Sequence, residues 1–284
     1  MSYRGPNVIH RMIAVLAFSF LSMGAMAQAN TSNTHDNQTT ELLAIIHAGK
    51  LVDLTHSFSA STPVWSGFGQ AVITPAKDPK TGQPYTIDKD GFRANYFSMV
   101  GQYGTHVDPP AHFDAHGATI DAIALNQMIL PLVVFDITGL LKKDPDHALS
   151  VNDILSWEKM HGRVPSGSFA ALRTDMSKDW DTNPTRFKRS PFPAWSLAAV
   201  QFLIEQRGVV AIGHESLDTD TTEHMDSETW LLQHGHYQIE AMANLDQVPA
   251  IGAVLIAMWP KVKNGDGFPA RVMAVVPADV SQAH

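Results

Sequence analysis

Two adjacent prolines, Pro109 and Pro110, sit inside 100-VGQYGTHVDPPAHFDAHG-117, flanked by His106, Asp108, His112 and Asp114. A proline ring fixes φ, removes an N–H and pushes the residue before it toward extended geometry. An extended segment entering this stretch is therefore stiffened, and it ends near Asp108. Read as extended, residues 103–108 alternate, so His106 and Asp108 project from one face and Thr105 and Val107 from the other. The pair is about 7 Å apart along the backbone. That gap suits two ligands reaching toward one cation, with donor atoms roughly 2.0–2.2 Å from an ion such as zinc. Gly104 permits a close backbone approach beside them. His112, past the proline corner, can turn back toward the same cavity as a base rather than a ligand. A polar loop with hydrogen-bonded histidines is the plainer alternative, but clustered imidazole and carboxylate weigh toward a metal site or catalysis.

The chain contains no cysteine. Disulfides and thiolates are excluded, so the core alone holds the fold, and a metal can only sit on His, Asp, Glu or amide oxygen. With 44% apolar residues and a net charge of −8, the composition is that of a globular protein. No basic stripe offers a face to nucleic acid. Arg4 and Arg11 precede the uncharged run 13-IAVLAFSFLSMG-24 and then Ala25-Met26-Ala27. That layout predicts a secretory signal peptide over 1–27 and a periplasmic or secreted protein. The run is about a dozen residues, short of a ~20-residue membrane helix, so no membrane partner is expected after its removal. QANTSNTHDNQTT predicts a flexible leader over 28–40. One domain over 41–284 follows, long enough to bury a substantial core.

Along that domain the patterning predicts helices over Glu41–Ala48, from a Ser150 cap to Lys159, over Trp195–Gln206, and from an Asp226 cap to Gly235. Strands are predicted in LVDLTHSF, NYFSMV, PLVVFDIT, SFAALRT, VVAIGHES, YQIEAMAN, IGAVLIAMWP and ARVMAVVP, with a hairpin around Lys80-Thr81-Gly82. Strands and helices mix without regular alternation. The expected class is α/β: one domain with a largely β core, a mixed or barrel-like sheet, flanked by helices.

The segment Gln102-Tyr103-Gly104-Thr105-His106-Val107-Asp108-Pro109-Pro110-Ala111-His112 resembles the signature H-x-G-T-H-x-D-x-P-x-H of the cyclase family of metal-dependent hydrolases. Bacterial kynurenine formamidase and isatin hydrolase are members. Every fixed position fits except the first, where Gln102 replaces His. The stretches LVDLTHSFSASTPVWSG, YQIEAMANLDQVP and KVKNGDGFPARVMAV extend the likeness over most of residues 50–276. The resemblance implies the swivelling β/β/α type of fold and metal ligation by His106, Asp108 and Glu240, with His112 acting near the scissile bond. The family also places a His twelve residues ahead of that glutamate, where this chain has Glu228.

Both replacements exchange imidazole nitrogen for oxygen, so Gln102 and Glu228 are candidate additional ligands. An oxygen-rich set suits one divalent ion, Mn²⁺ or Zn²⁺ in preference to Mg²⁺. Trp65 and Phe68 are candidates for the floor of an apolar substrate pocket, and His214, in 211-AIGHESLDTD-220, for its lining. The reaction implied is hydrolysis of a C–N bond in an amide, formamide or cyclic amide of a small molecule. A metal-activated water would attack, with His112 as general base and then proton donor. Lactone hydrolysis, cyclisation or dehydration on the same fold, and a catalytically silent binding protein, are the alternatives. The resemblance also implies a homo-oligomer.

Overall fold

The computed structural model describes residues 37–221 and 224–278. The predicted signal peptide and most of the leader lie outside them. In chain order the strands are β1 (Lys50–Asp53), β2 (Val72–Pro75), β3 (Asn95–Ser98), β4 (His106–Asp108), β5 (Ile129–Asp136), β6 (Ala148–Leu149), β7 (Phe169–Arg173), β8 (Ala194–Trp195), β9 (Ala211–His214), β10 (Tyr237–Glu240), β11 (Ala253–Met258), β12 (Phe268–Pro269) and β13 (Arg271–Val276). Nine of them form one mixed sheet in the order β1-β13-β11-β5-β7-β9-β10-β4-β12. From β5 through β7 and β9 to β10 the strands run parallel. Antiparallel strands flank this block on both sides: β11 and β13 beyond β5, β4 and β12 beyond β10. This is the α/β class with a largely β core that the sequence predicts, curled into a half-barrel.

Alternation along the strands builds two cores, one on each face. Leu132 and Val134 of β5, Phe169 of β7, Ile239 of β10 and Val107 of β4 face one side. Val133 and Phe135, Leu172 and Ile212 face the other, where Ile154, Trp157, Leu203 and Leu231 from helices pack onto them. Each fully buried aliphatic or aromatic side chain contributes about 1.5–3 kcal/mol. The metal-binding candidates project onto the second, helix-covered face.

The helix Val151–His161 is held by the reciprocal Ser150/Asp153 capping box, at the predicted start. Other boundaries differ from expectation for local reasons. A helix spans 37–48, so the last part of the predicted leader is helical. Helix Leu197–Gln201 begins after Trp195, because the Ser196 side chain caps it at Ala199 and Trp195 pairs in β8. Its continuation Phe202–Arg207 widens into π turns before Gly208. β4 begins only at His106, since Gly104 takes φ 69°. Asp226 is the first residue of the helix Asp226–Gln233, not its cap. The cap comes from Asp220, whose carboxylate accepts from the Ser227 and Glu228 amides at 2.8 and 3.1 Å.

His56, beyond β1, ties the opening strand to the motif: its N–H donates to Thr105 Oγ1 at 2.9 Å. Its ring stacks on Trp180 with centroids 4.2 Å apart. Burial lowers its pKa from 6.5 to about 4, against the opposing pull of Asp181. The unfolded chain therefore takes up a proton that the folded chain refuses between those values, so this contribution to stability is lost as pH falls from 6.5 toward 4. Denaturant unfolding between pH 7 and 5 should show a shallower acid-side loss in His56→Phe than in the wild type; parallel curves would contradict it.

Candidate metal centre

The site is made by strand register. β10 lies antiparallel on β4, with Glu240 opposite His106 and Gln238 opposite Asp108. All four side chains enter the helix-covered face and are buried: His106 3%, Asp108 1%, Glu240 5% and Gln238 0% exposed. His106 Nε2 lies 3.4 Å from Asp108 Oδ2 and 3.5 Å from Glu240 Oε2. Nδ1 of His106 faces the Gly104 carbonyl at 2.9 Å. A carbonyl only accepts, so Nδ1 carries a proton and Nε2 is the ligating edge. Among the described residues His106, Asp108 and Glu240 offer one donor atom each within 4.8 Å of one another. Asp108 Oδ1 is fully buried without a hydrogen-bond partner. An orphaned carboxylate oxygen in such a place is costly unless something cationic satisfies it. The donor set fits a divalent ion.

The electrostatics agree. Burial opposes charge on His106, but the carboxylates of Asp108 and Glu240 raise its pKa from 6.5 to about 9. Burial would raise Asp108, yet the His106 charge and hydrogen bond lower it to about 2. The proton drawn to His106 stands where a cation would. Beside them, burial pushes Glu228 well above the usual carboxyl range, with the charges of Glu240 and Asp108 adding to it. Burial, then Glu240, raises Asp218 to about 7.

These groups line a cavity of about 220 Å³ together with Trp65, Phe68, Gln102, His112 and Phe113. Trp65 and Phe68 meet edge-to-face at 5.1 Å and form an apolar part of the cavity wall. His112 lies in the 3₁₀ turn Pro110–His112, so the proline corner does return it to the cavity. Glu228 sits close by, bonded from Gln238 Nε2 at 3.0 Å. Gln102 stands on the wall beside His112, outside the His106/Asp108/Glu240 cluster: its Nε2 donates to the Asp266 carbonyl at 2.8 Å.

His214 is a correction. It is 0% exposed, with Nε2 3.3 Å from Glu240 Oε1. It stands behind the glutamate and does not line the cavity. The rest of its cluster divides among separate tasks. Asp218 lines the cavity, Asp220 caps a helix, and Glu215 accepts from the Thr174 and Asp175 amides and the Ser177 hydroxyl.

Gln238 was missed as a site residue. Its Oε1 accepts from Thr219 Oγ1 at 2.6 Å, which turns Nε2 toward Asp108 (3.2 Å), Glu228 (3.0 Å) and Glu240 (3.0 Å). Its position two residues before Glu240 on the same strand face was the available signal. Strict alternation along YQIEAMAN would put Met242 on that face as well, but Ala241 takes φ 50° and breaks the alternation, and Met242 joins the opposite core.

The family described as "Putative cyclase" matches residues 52–221. The chain belongs to the cyclase family. It is 29% identical over 251 residues to isatin hydrolase of Roseibium aggregatum, covering 80% of this chain and 92% of that protein. Kynurenine formamidase of Paracidovorax citrulli is 26% identical over 183 residues, 64% of this chain and 79% of its own. The structure of isatin hydrolase A from Labrenzia aggregata bound to benzyl benzoate superposes with a TM-score of 0.74 at 32% identity, covering 85% of this chain and 99% of that one. The chain is a hydrolase of this family with a candidate divalent-metal site, and no helix among the described residues is long and apolar enough to cross a membrane.

Binding a cation at His106 should release its Nε2 proton. Apparent metal affinity should therefore rise about tenfold per pH unit up to about 9, measured by calorimetric titration across pH. A flat profile would contradict the ligand assignment. Asp108→Asn should leave the purified protein without bound metal.

Proposed function

We propose that the chain hydrolyses the C–N bond of a small aromatic amide, formamide or cyclic amide with one divalent ion held by His106, Asp108 and Glu240. The observation that carries this is a buried His/Asp/Glu cluster at one end of a small cavity whose other wall is Trp65 and Phe68. The cavity volume limits the substrate to a small molecule, and the aromatic wall suits a flat ring. The names of the two curated relatives, an isatin hydrolase and a kynurenine formamidase, support C–N cleavage over the lactone, cyclase and silent-binder alternatives.

When bound, the ion supplies a polarised carbonyl and a more acidic water. The chain's own residues do the rest. Trp65 and Phe68 orient the substrate and exclude solvent, which strengthens every charge interaction inside. His112 stands at the reacting bond, free of the ligand cluster. Two carboxylates and one imidazole favour Mn²⁺ or Zn²⁺ over Mg²⁺. Metal analysis of protein purified without added metal tests this, and two equivalents of zinc per chain would refute the single-ion reading.

The export reading rests on the composition of residues 1–27, and cell fractionation tests it. A homo-oligomer is supported by exposed apolar side chains between 87 and 97: Ile87 58%, Phe92 49%, Tyr96 60% and Phe97 50% exposed. Light scattering tests that.

His112→Ala should lower kcat by about 10²-fold or more on N-formylkynurenine or isatin while metal content stays at the wild-type level. Loss of metal and activity together would place His112 among the ligands instead.

A further inference from the structure

The Gln102 carboxamide sits between the 264–267 turn and His112. Its Nε2 donates to the Asp266 carbonyl at 2.8 Å and lies 3.4 Å from His112 Nδ1. A backbone carbonyl only accepts, so the Asp266 contact settles which end of the amide carries hydrogens. The turn packs tightly against that end: a Cβ at Gly267 would stand 2.0 Å from Gln102 Nε2. An amide –NH₂ has two hydrogens and accepts nothing. One hydrogen goes to Asp266, and the other faces an imidazole nitrogen that can answer only as an acceptor.

We propose that Gln102 is a positioning residue that holds neutral His112 as its Nε2–H tautomer, so that the ring offers a hydrogen-bond donor to the oxygen of the scissile carbonyl. This rests on the reading of the cavity as an amide-hydrolysing site. A neutral imidazole protonated at Nε2 has no lone pair on that edge, so it cannot take the water proton. His112 then serves as a hydrogen-bond donor and not as the general base. In the reaction the water oxygen forms a bond to the carbonyl carbon, and the carbonyl oxygen gains negative charge against His112 Nε2–H. The proton lost by water passes to the Asp218 carboxylate in the cavity wall, and from there to the leaving nitrogen as the C–N bond breaks. His112 keeps its own proton throughout.

The test is the protonation pattern of the ring, read by long-range ¹H–¹⁵N correlation on ¹⁵N-labelled full chain loaded with diamagnetic Zn²⁺ and assigned with His112→Asn. The expected result is an unprotonated Nδ1 and a protonated Nε2 in the wild type. Gln102→Glu, whose carboxylate only accepts, should move the proton to Nδ1, and Gln102→Leu should give an interconverting mixture. A protonated Nδ1 in the wild type overturns the proposal without any variant needing to fold. A Gln102→Glu spectrum matching the wild type overturns it too. In turnover, Gln102→Glu should lose about 10²-fold in kcat with KM and metal content held; an unchanged kcat refutes the donor role. The spectra need no substrate. A chain that shows the tautomer shift but hydrolyses no amide refutes the amidase reading and leaves the tautomer assignment standing.

Discussion

The register of β10 on β4 is the constraint on which the site depends. It sets Glu240 against His106 and Gln238 against Asp108, four polar side chains buried together on the helix-covered face. A slip of one residue would exchange them for Val107 and Ile239 and turn the polar set into the opposite core. Burying two carboxylates this way costs several kcal/mol per ion unless charge and hydrogen bonds compensate. The fold meets that cost with the His106 proton, the Gln238 amide and the helix packed over the site, and a bound cation would take that proton's place.

Much of this was legible in the chain. The His106–Asp108 spacing, the proline corner that returns His112, the Ser150 cap and the buried run of β5 are all local, with signals carried by residues within one turn or one strand. What was not legible is long-range. Nothing near Asp226 says that Asp220 caps its helix across the intervening residues. Nothing near His214 says that it faces Glu240 from behind. Ala241 adopts a left-handed conformation that its side chain disfavours, so the face of Met242 could not be read by counting. Gln238 lay in plain view on the correct face, but its role depends on Thr219 turning its amide, a contact made only on folding.

The oxygen-rich character inferred from Gln102 and Glu228 resolves unevenly. Glu228 stands within the polar network through Gln238. Gln102 serves the other half of the cavity. The same kind of replacement thus contributes to two different environments, one beside the candidate metal site and one beside His112.

Asp220 has a wider consequence. It caps the helix Asp226–Gln233 directly, while Met225 supplies only its backbone carbonyl, which accepts from the Thr229 amide at 2.9 Å. Met225 also lines the cavity. The cap is made to backbone amides and does not depend on the side chain at 225, so that part of the cavity wall can vary while the register of β4 and β10 stays under strict constraint. Divergence of substrate preference within such a lineage would then begin at position 225.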